Sequence, residues 1–285
     1  MNLEIKRAGL QDRKKVYFAM KQPRTSLRRS HFQGIGVCGI CGEDEERIQR
    51  DVINEELRET WSLSVSEKKM FDARESAVCQ NCKTSLRSSM HAKAISQVLS
   101  CRDNLWEAMQ CDDFRQLKIA EINACGSVHQ HISTHPGLEY SEYKPSEKGI
   151  RHEDITKLTY EDNEFDAVIT SDTLEHVPSW IEGLEEIRRV LKEGGYHIFT
   201  VPAILTRKTR TRAILENGKI KNLLPKSFHG CTRGVDTDDY IVCSEFGADF
   251  IKKMDSVGFK THVYYMNILR PSDPNIVFVS QKVGK

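Results

Sequence analysis

The sequence predicts an α/β protein built on a parallel sheet, and three neighbouring stretches carry that prediction. Phe165 to Thr170 is an apolar-rich run whose Ala-Val-Ile centre suits a strand buried on both faces. Trp180, Ile181, Leu184, Ile187 and Leu191 then recur at helical spacing, with Arg188, Arg189 and Lys192 near the negative end of the helix dipole and Gly194-Gly195 as the stop. His197 to Val201 is the next strand. Strand, crossover helix and strand in about 35 residues make a βαβ unit. In such sheets ligands sit at the carboxyl ends of the strands, where Ser171 to His176 falls. Glu175 and His176 are expected to open the helix, where a carboxylate favours the dipole.

The same stretch resembles class I S-adenosylmethionine-dependent methyltransferases. Phe165-Asp166, Leu174-Glu-His-Val-Pro178, Arg189-Val-Leu-Lys192, Gly194-Gly195 and Val201-Pro202 carry the likeness. It implies a Rossmann-like, doubly wound, seven-stranded sheet with a closing antiparallel strand, and S-adenosylmethionine as cofactor. With the motifs described below, the resemblance covers residues 70 to 283.

At 285 residues there is room for one α/β domain and a smaller appendage. The formal net charge of +1 gives no global field towards nucleic acid or membrane. The charge is uneven, however: nine Lys/Arg lie within residues 1–30 and eight within 203–235. A negative mean hydropathy and the lack of a long apolar run argue against a transmembrane helix, and the N-terminus lacks the apolar core of a secretory signal. Nine cysteines, four of them in two Cys-x-x-Cys pairs, favour metal-bound thiolates in a reducing compartment over a disulfide framework. The expected location is cytoplasmic. The expected organisation is a basic N-terminal arm (1–33), a small zinc-binding four-cysteine domain (34–90), and a methyltransferase domain (91–285) with a basic insertion (203–235).

The arm is weakly periodic and reads as a solvated segment or a short surface helix over Arg13 to Lys21. Cys38 and Cys41 then flank Gly39-Ile40, and Cys79 and Cys82 supply a second pair. Four thiolates match tetrahedral zinc and leave no open coordination position, so the role is structural. The alternatives are two unrelated pairs of buried cysteines, or a redox Cys-x-x-Cys; the latter should follow a strand and open a helix, which neither pair clearly does. The 37 residues between the pairs contain a charged, helix-compatible segment, Asp44 to Phe71, that can bring them together. Arg74, Glu75, Cys79, Cys82 and Arg87 are similar to a pattern found in a bacterial subset of the family that carries an N-terminal cysteine domain. Residues 84–111 read as helices, with Cys101 and Cys111 as small core residues.

The resemblance places the first strand and the cofactor loop within Lys118 to Ser127, with an acid ending the strand. Glu121 fills the acid position and Gly126 supplies one glycine, while Asn123 and Cys125 stand where glycines are usual. Glu121, Ala124 and Gly126 still match the subset, and Asn123 tolerates a left-handed conformation. His129, His131 and His135 read as surface or loop histidines. A short strand follows Pro136-Gly137, and Glu142 at its end is the candidate for the ribose hydroxyls, with Glu139 as the register alternative. Asp154 and Ile155 take the adenine-contacting positions by resemblance. Ser171, Asp172 and Leu174 are expected to line the methyl-transfer end.

The insertion after the fifth strand contains Asn217-Gly218, a tight-turn signal that places a hairpin within Arg212 to Leu224. Its charge suits a small anionic acceptor, of sugar or natural-product type, methylated on oxygen or nitrogen, and equally suits a charged hairpin exposed to solvent. His229 and His176 are the catalytic candidates, since imidazole titrates near neutrality. Phe246 to Phe259 reads as a helix with a Gly stop, and Lys260 to Leu269 and Ile276 to Gln281 as the closing strands. Two other readings have different chemistry: a zinc-containing binding or scaffold protein with a decayed cofactor site, and a nucleic-acid methyltransferase. A membrane partner is not expected.

Overall fold

The computed structural model describes residues 29–31, 37–43, 47–145, 147–228, 240–265 and 275–284. In chain order the strands are β1 (Arg29–His31), β2 (Arg47–Ile48), β3 (Val78–Cys79), β4 (Ile119–Ile122), β5 (Leu138–Glu142), β6 (Arg151–His152), β7 (Phe165–Ser171), β8 (Leu191–Thr200), β9 (Arg210–Thr211), β10 (Ala213–Glu216), β11 (Lys219–Asn222), β12 (Ser244–Glu245), β13 (Phe259–Tyr265) and β14 (Ile276–Lys282). The helices are α1 (Glu55–Thr60), α2 (Val65–Ser76), α3 (Leu86–Ser100), α4 (Leu105–Met109), α5 (Asp112–Arg115), α6 (Ser127–Ile132), α7 (Trp180–Val190) and α8 (Asp249–Val257).

The main sheet has the order β1-β13-β14-β8-β7-β4-β5-β6. Strands β4 to β8 pair in parallel, and β14 runs antiparallel to both β8 and β13. These are the seven expected strands with their antiparallel closure. An eighth, β1, adds to the edge in parallel with β13. It comes from the end of the basic arm, which was expected to be solvated or helical. The Arg13 to Lys21 segment lies outside the described residues.

Both faces of the sheet are covered. Ile119, Ala167, Ile169, Ile198, Val277 and Val279 belong to a core shared with α3 and α6. Ala120, Ile122, Val168, Phe199 and Phe278 face the opposite way, against α7 and α8. This double burial explains why the strands read as continuous apolar runs rather than alternating ones. The first core also takes in Cys38, Ile40, Cys41 and Cys79, so the cysteine region packs continuously with the sheet.

Two boundaries differ from expectation. Helix α7 starts at Trp180, and Glu175 and His176 lie in a separate 3-10 turn, Leu174–His176. Pro178 explains the break: Val177 before it is extended (φ −94°, ψ 113°), as a residue preceding proline prefers. The helix ends at Val190, and Leu191 and Lys192 open β8, where Gly194 (φ +78°) makes a turn within the strand rather than the helix stop. Cys101, expected in the core, is exposed at the left-handed C-cap of α3 (φ +57°).

Candidate functional site

The four predicted metal ligands converge. The sulfurs of Cys38, Cys41, Cys79 and Cys82 all lie within 4.8 Å of one another, with Cys38–Cys82 at 3.6 Å and Cys41–Cys79 at 3.8 Å. Zinc–sulfur bonds of about 2.3 Å in a tetrahedron require sulfur–sulfur edges of about 3.8 Å, so the donor set fits the ion. The two loops share one hydrogen-bond pattern. Gly42 N–H donates to Cys38 O and Lys83 N–H to Cys79 O, while Cys38 N–H donates to Glu43 O and Cys79 N–H to Thr84 O. The residue after each second cysteine is left-handed: Gly42 at φ +76° and Lys83 at φ +61°. Burial pushes the Cys79 thiol up, whereas Cys82 ends below its ordinary value because hydrogen bonding with Thr84 and Cys38 outweighs its burial.

At the carboxyl end of β4, Asn123 (φ +58°) and Gly126 (φ +59°, ψ −128°) turn the chain into α6. Ala124 and Gly126 are exposed, Asn123 is half-buried, and a Cβ on Gly126 would lie 3.4 Å from Ser88 Oγ of α3. Glu121 is fully buried; it accepts from Cys125 N–H (2.8 Å) and pairs with His129 Nδ1 (2.6 Å). Burial raises the Glu121 carboxyl, against the opposing pull of His129. Cys125 is itself fully buried within the first core. Of the histidines expected on the surface, His135 is buried, with Nε2 2.9 Å from Phe114 O, and His129 belongs to the Glu121 pair.

Asn123 also ties this turn to the next strand. Its N–H donates to Ser141 O, and its Oδ1 accepts from Tyr143 N–H at 3.0 Å. Glu142 lies between those two partners, half-buried at the end of β5, and accepts a hydrogen bond from the Tyr140 hydroxyl. Glu139 is in register with Ala120, three residues before that end. Asp154 accepts from Thr156 N–H and Oγ1 in a local turn, and Ile155 is buried beside Gly183 of α7.

Ser171 and Asp172, at the end of β7, are held by two arginines from the cysteine region. Arg74 Nη1 and Nη2 donate to Asp172 Oδ2 (2.8 Å) and Oδ1 (2.6 Å). Arg87 Nη1 donates to Ser171 Oγ (2.6 Å) and its Nε to Glu75 Oε2 (3.1 Å). Asp172 sits at φ +48° and also accepts from Thr200 Oγ1. Leu174 is fully buried in the second core.

Beyond this point opens a cleft whose empty volume, mouth included, is about 610 Å³. Trp61, Leu63 and Phe71 form one wall, Ile204, Val242 and Phe246 another, and Arg207, Lys208 and Arg210 stand at the insertion. Arg207 pairs with Glu67 and Arg210 with Glu245, each at 2.6 Å, while Lys208 forms no ion pair among the described residues. Glu175 also lines the cleft. It is buried rather than placed at a helix end, and burial, reinforced by the charge of Asp172, raises its carboxyl well above the usual range. His176 Nδ1 lies 3.0 Å from Ile241 O, which assigns the proton to Nδ1 and proton acceptance to Nε2. Burial lowers the His176 imidazole. His229 lies outside the described residues.

Residues 115–199 match the family model described as "Methyltransferase domain". Over that stretch the chain carries a methyltransferase domain. None of the curated proteins compared matches it in sequence. Solved structures similar to this chain include an S-adenosylmethionine-dependent methyltransferase from Mesorhizobium loti (17% identity, 58% of this chain and 90% of that one, TM-score 0.35). A protein from Bacillus subtilis is similar over 69% of this chain and 99% of its own (9% identity, TM-score 0.42). A protein from Galdieria sulphuraria, assigned as a sarcosine dimethylglycine methyltransferase, matches over 30% of this chain and 39% of its own (20% identity, TM-score 0.27).

At the β4 turn a Gly126 Cβ would touch Ser88 Oγ of α3, Glu142 ends the neighbouring strand β5, and Arg74 and Arg87 hold Asp172 and Ser171 at the end of β7 on its other side. Sequence reasoning placed Arg74 and Arg87 in a motif without assigning them to this site, and gave Glu175 a capping role. The signal available for all three was their charge beside an apolar run; their partners lie far away in sequence.

Proposed function

We propose that this methyltransferase moves the methyl group of S-adenosylmethionine to an oxygen or nitrogen of a small acceptor bound in the Trp61–Phe246 cleft. One observation supports the reading: the β4 turn, Glu142 and the Ser171–Asp172 pair stand at the carboxyl ends of three adjacent parallel strands, and Glu175, three residues beyond Asp172, lines an apolar cleft. Glu142 would hold the ribose hydroxyls, Asp154 and the Ile155 backbone the adenine, and the Asn123–Gly126 turn the methionine end. The cofactor supplies an electrophilic methyl group on a sulfonium.

The chain's own contribution is orientation and exclusion of water. Trp61, Leu63 and Phe71 favour an acceptor with an apolar body, and Lys208 favours one carrying a single anionic group. His176, next to the cleft-lining Glu175 in sequence, is the candidate to receive an acceptor proton. The four-cysteine centre holds one structural zinc, and the chain works in the cytoplasm. Among the described residues no helix is long and apolar enough to cross a membrane.

Isothermal titration with S-adenosylhomocysteine should give binding to the wild type that is lost in Glu142→Ala. No heat at millimolar ligand would overturn the reading.

A further inference from the structure

The four-cysteine centre and the donor site share two helices. Arg74 sits five positions before Cys79 near the end of α2, and Arg87 five positions after Cys82 in the first turn of α3. The intervening loop sets the spacing of those helices. Cys79 N–H donates to Thr84 O, and Arg47 Nη1 donates to both Ala77 O (2.8 Å) and Thr84 O (3.2 Å). The other cysteine loop is seated on α3 itself: Gly39 N–H donates to Ser89 Oγ at 2.9 Å, and a Cβ on Gly39 would strike Ser89 O at 2.0 Å. An ion joining the four sulfurs therefore fixes where α2 ends and where α3 begins.

At the far side those helices deliver Arg74 to Asp172, Arg87 to Ser171, and Ser88 to the neighbourhood of Gly126. We propose that the metal centre positions the donor site through Arg74 and Arg87, so that metal occupancy and donor affinity are coupled. This rests on the donor-binding reading above. Arg74 and Arg87 are positioning residues here: they hold Asp172 and Ser171 in place beneath the β4 turn. Losing the metal releases the start of α3, and with it the guanidinium that fixes Ser171. Coupling of this kind is reciprocal, so the donor must tighten the metal by the same factor by which the metal tightens the donor.

The test uses the full chain and S-adenosylhomocysteine titration by calorimetry. Chelator-stripped protein should bind about tenfold more weakly than zinc-loaded protein. Arg87→Met, compared at equal zinc content and at a temperature where it is fully folded, should weaken binding by a similar factor, and Arg87→Lys should restore part of it. Saturating S-adenosylhomocysteine should raise zinc affinity, read by competition with a chromophoric chelator, by the factor found in the first comparison. Zinc-loaded Arg87→Met binding within about twofold of wild type would overturn the proposal, as would zinc affinity indifferent to the ligand. If stripped protein unfolds, the Arg87 variants still decide. No heat with zinc-loaded wild type overturns the donor reading and this inference with it; normal wild-type binding with indifferent variants overturns this inference alone.

Discussion

Arg74, 2% exposed, closes a two-point ion pair with Asp172 across 98 positions of sequence. It joins the cysteine region to the carboxyl end of β7 by the planar fork that guanidinium and carboxylate share. Arg74→Met should destabilise the fold by ~3 kcal/mol, because it leaves Asp172 with less compensation in a buried setting. Adding Asp172→Asn should recover part of that loss. Urea denaturation of the single and double variants measures both steps, and additive losses would show that the two side chains do not interact.

The four sulfurs already stand at metal-binding separations, so metal should be retained through purification. We expect about one zinc per chain by elemental analysis, falling well below that in Cys79→Ser, with a lower melting temperature after chelation. A wild-type value far under one would remove the zinc assignment.

His91 is buried in α3, with Nε2 2.9 Å from Ile198 O, and burial pulls its imidazole down to about 4. The sign follows from linkage. The unfolded chain takes up this proton near pH 6.5 and the folded chain only near 4, so the contribution is intact above 6.5 and is lost as pH falls through that window. His91→Gln keeps a donor for Ile198 O without titrating. Between pH 7 and 4 the wild type should lose about 3 kcal/mol more than this variant, measured by denaturation at each pH.

Glu175 has the opposite sense. Burial, then the charge of Asp172, raises its folded value above the ordinary 4.5 of a glutamate. Its contribution is present below that pH and is lost as pH rises, because ionising the buried group is unfavourable. Glu175→Gln resembles the protonated acid and should gain stability relative to wild type from pH 5 to pH 8. A constant difference over that range would refute the assignment.

Two residues of the β4 turn should respond differently to substitution. Asn123→Gly, at φ +58°, should change stability by only ~1 kcal/mol, since the left-handed backbone suits glycine and the loss is the exposed bond from Tyr143 N–H. Gly126→Ala, at φ +59° and ψ −128°, should cost ~1–3 kcal/mol and weaken S-adenosylhomocysteine binding. Equal effects on melting temperature would mean that the turn is not strained at Gly126.

The sequence marked β7 to within one residue, the hairpin around Asn217-Gly218, and the four cysteines that converge. It misplaced the start of α7 because the helical spacing of Leu184 and Ile187 says nothing of where a proline forces extension. It missed the burial of His135, since a histidine that donates to a distant carbonyl looks the same in sequence as one that meets water. It also read the insertion as a set of available cations, whereas Arg207 is spent on Glu67 and Arg210 on Glu245.

Periodicity and covalent spacing are local properties, so the sequence by itself determined the parallel sheet and the two Cys-x-x-Cys pairs that converge. Which charges meet is a property of the packed chain. Only the tertiary structure decided that Arg74 and Arg87 serve Asp172 and Ser171, and that Glu175 lines the cleft between Trp61 and Phe246. Those pairings arise where burial removes water and leaves each ionised group to find its partner within a few ångströms, whatever their distance along the chain.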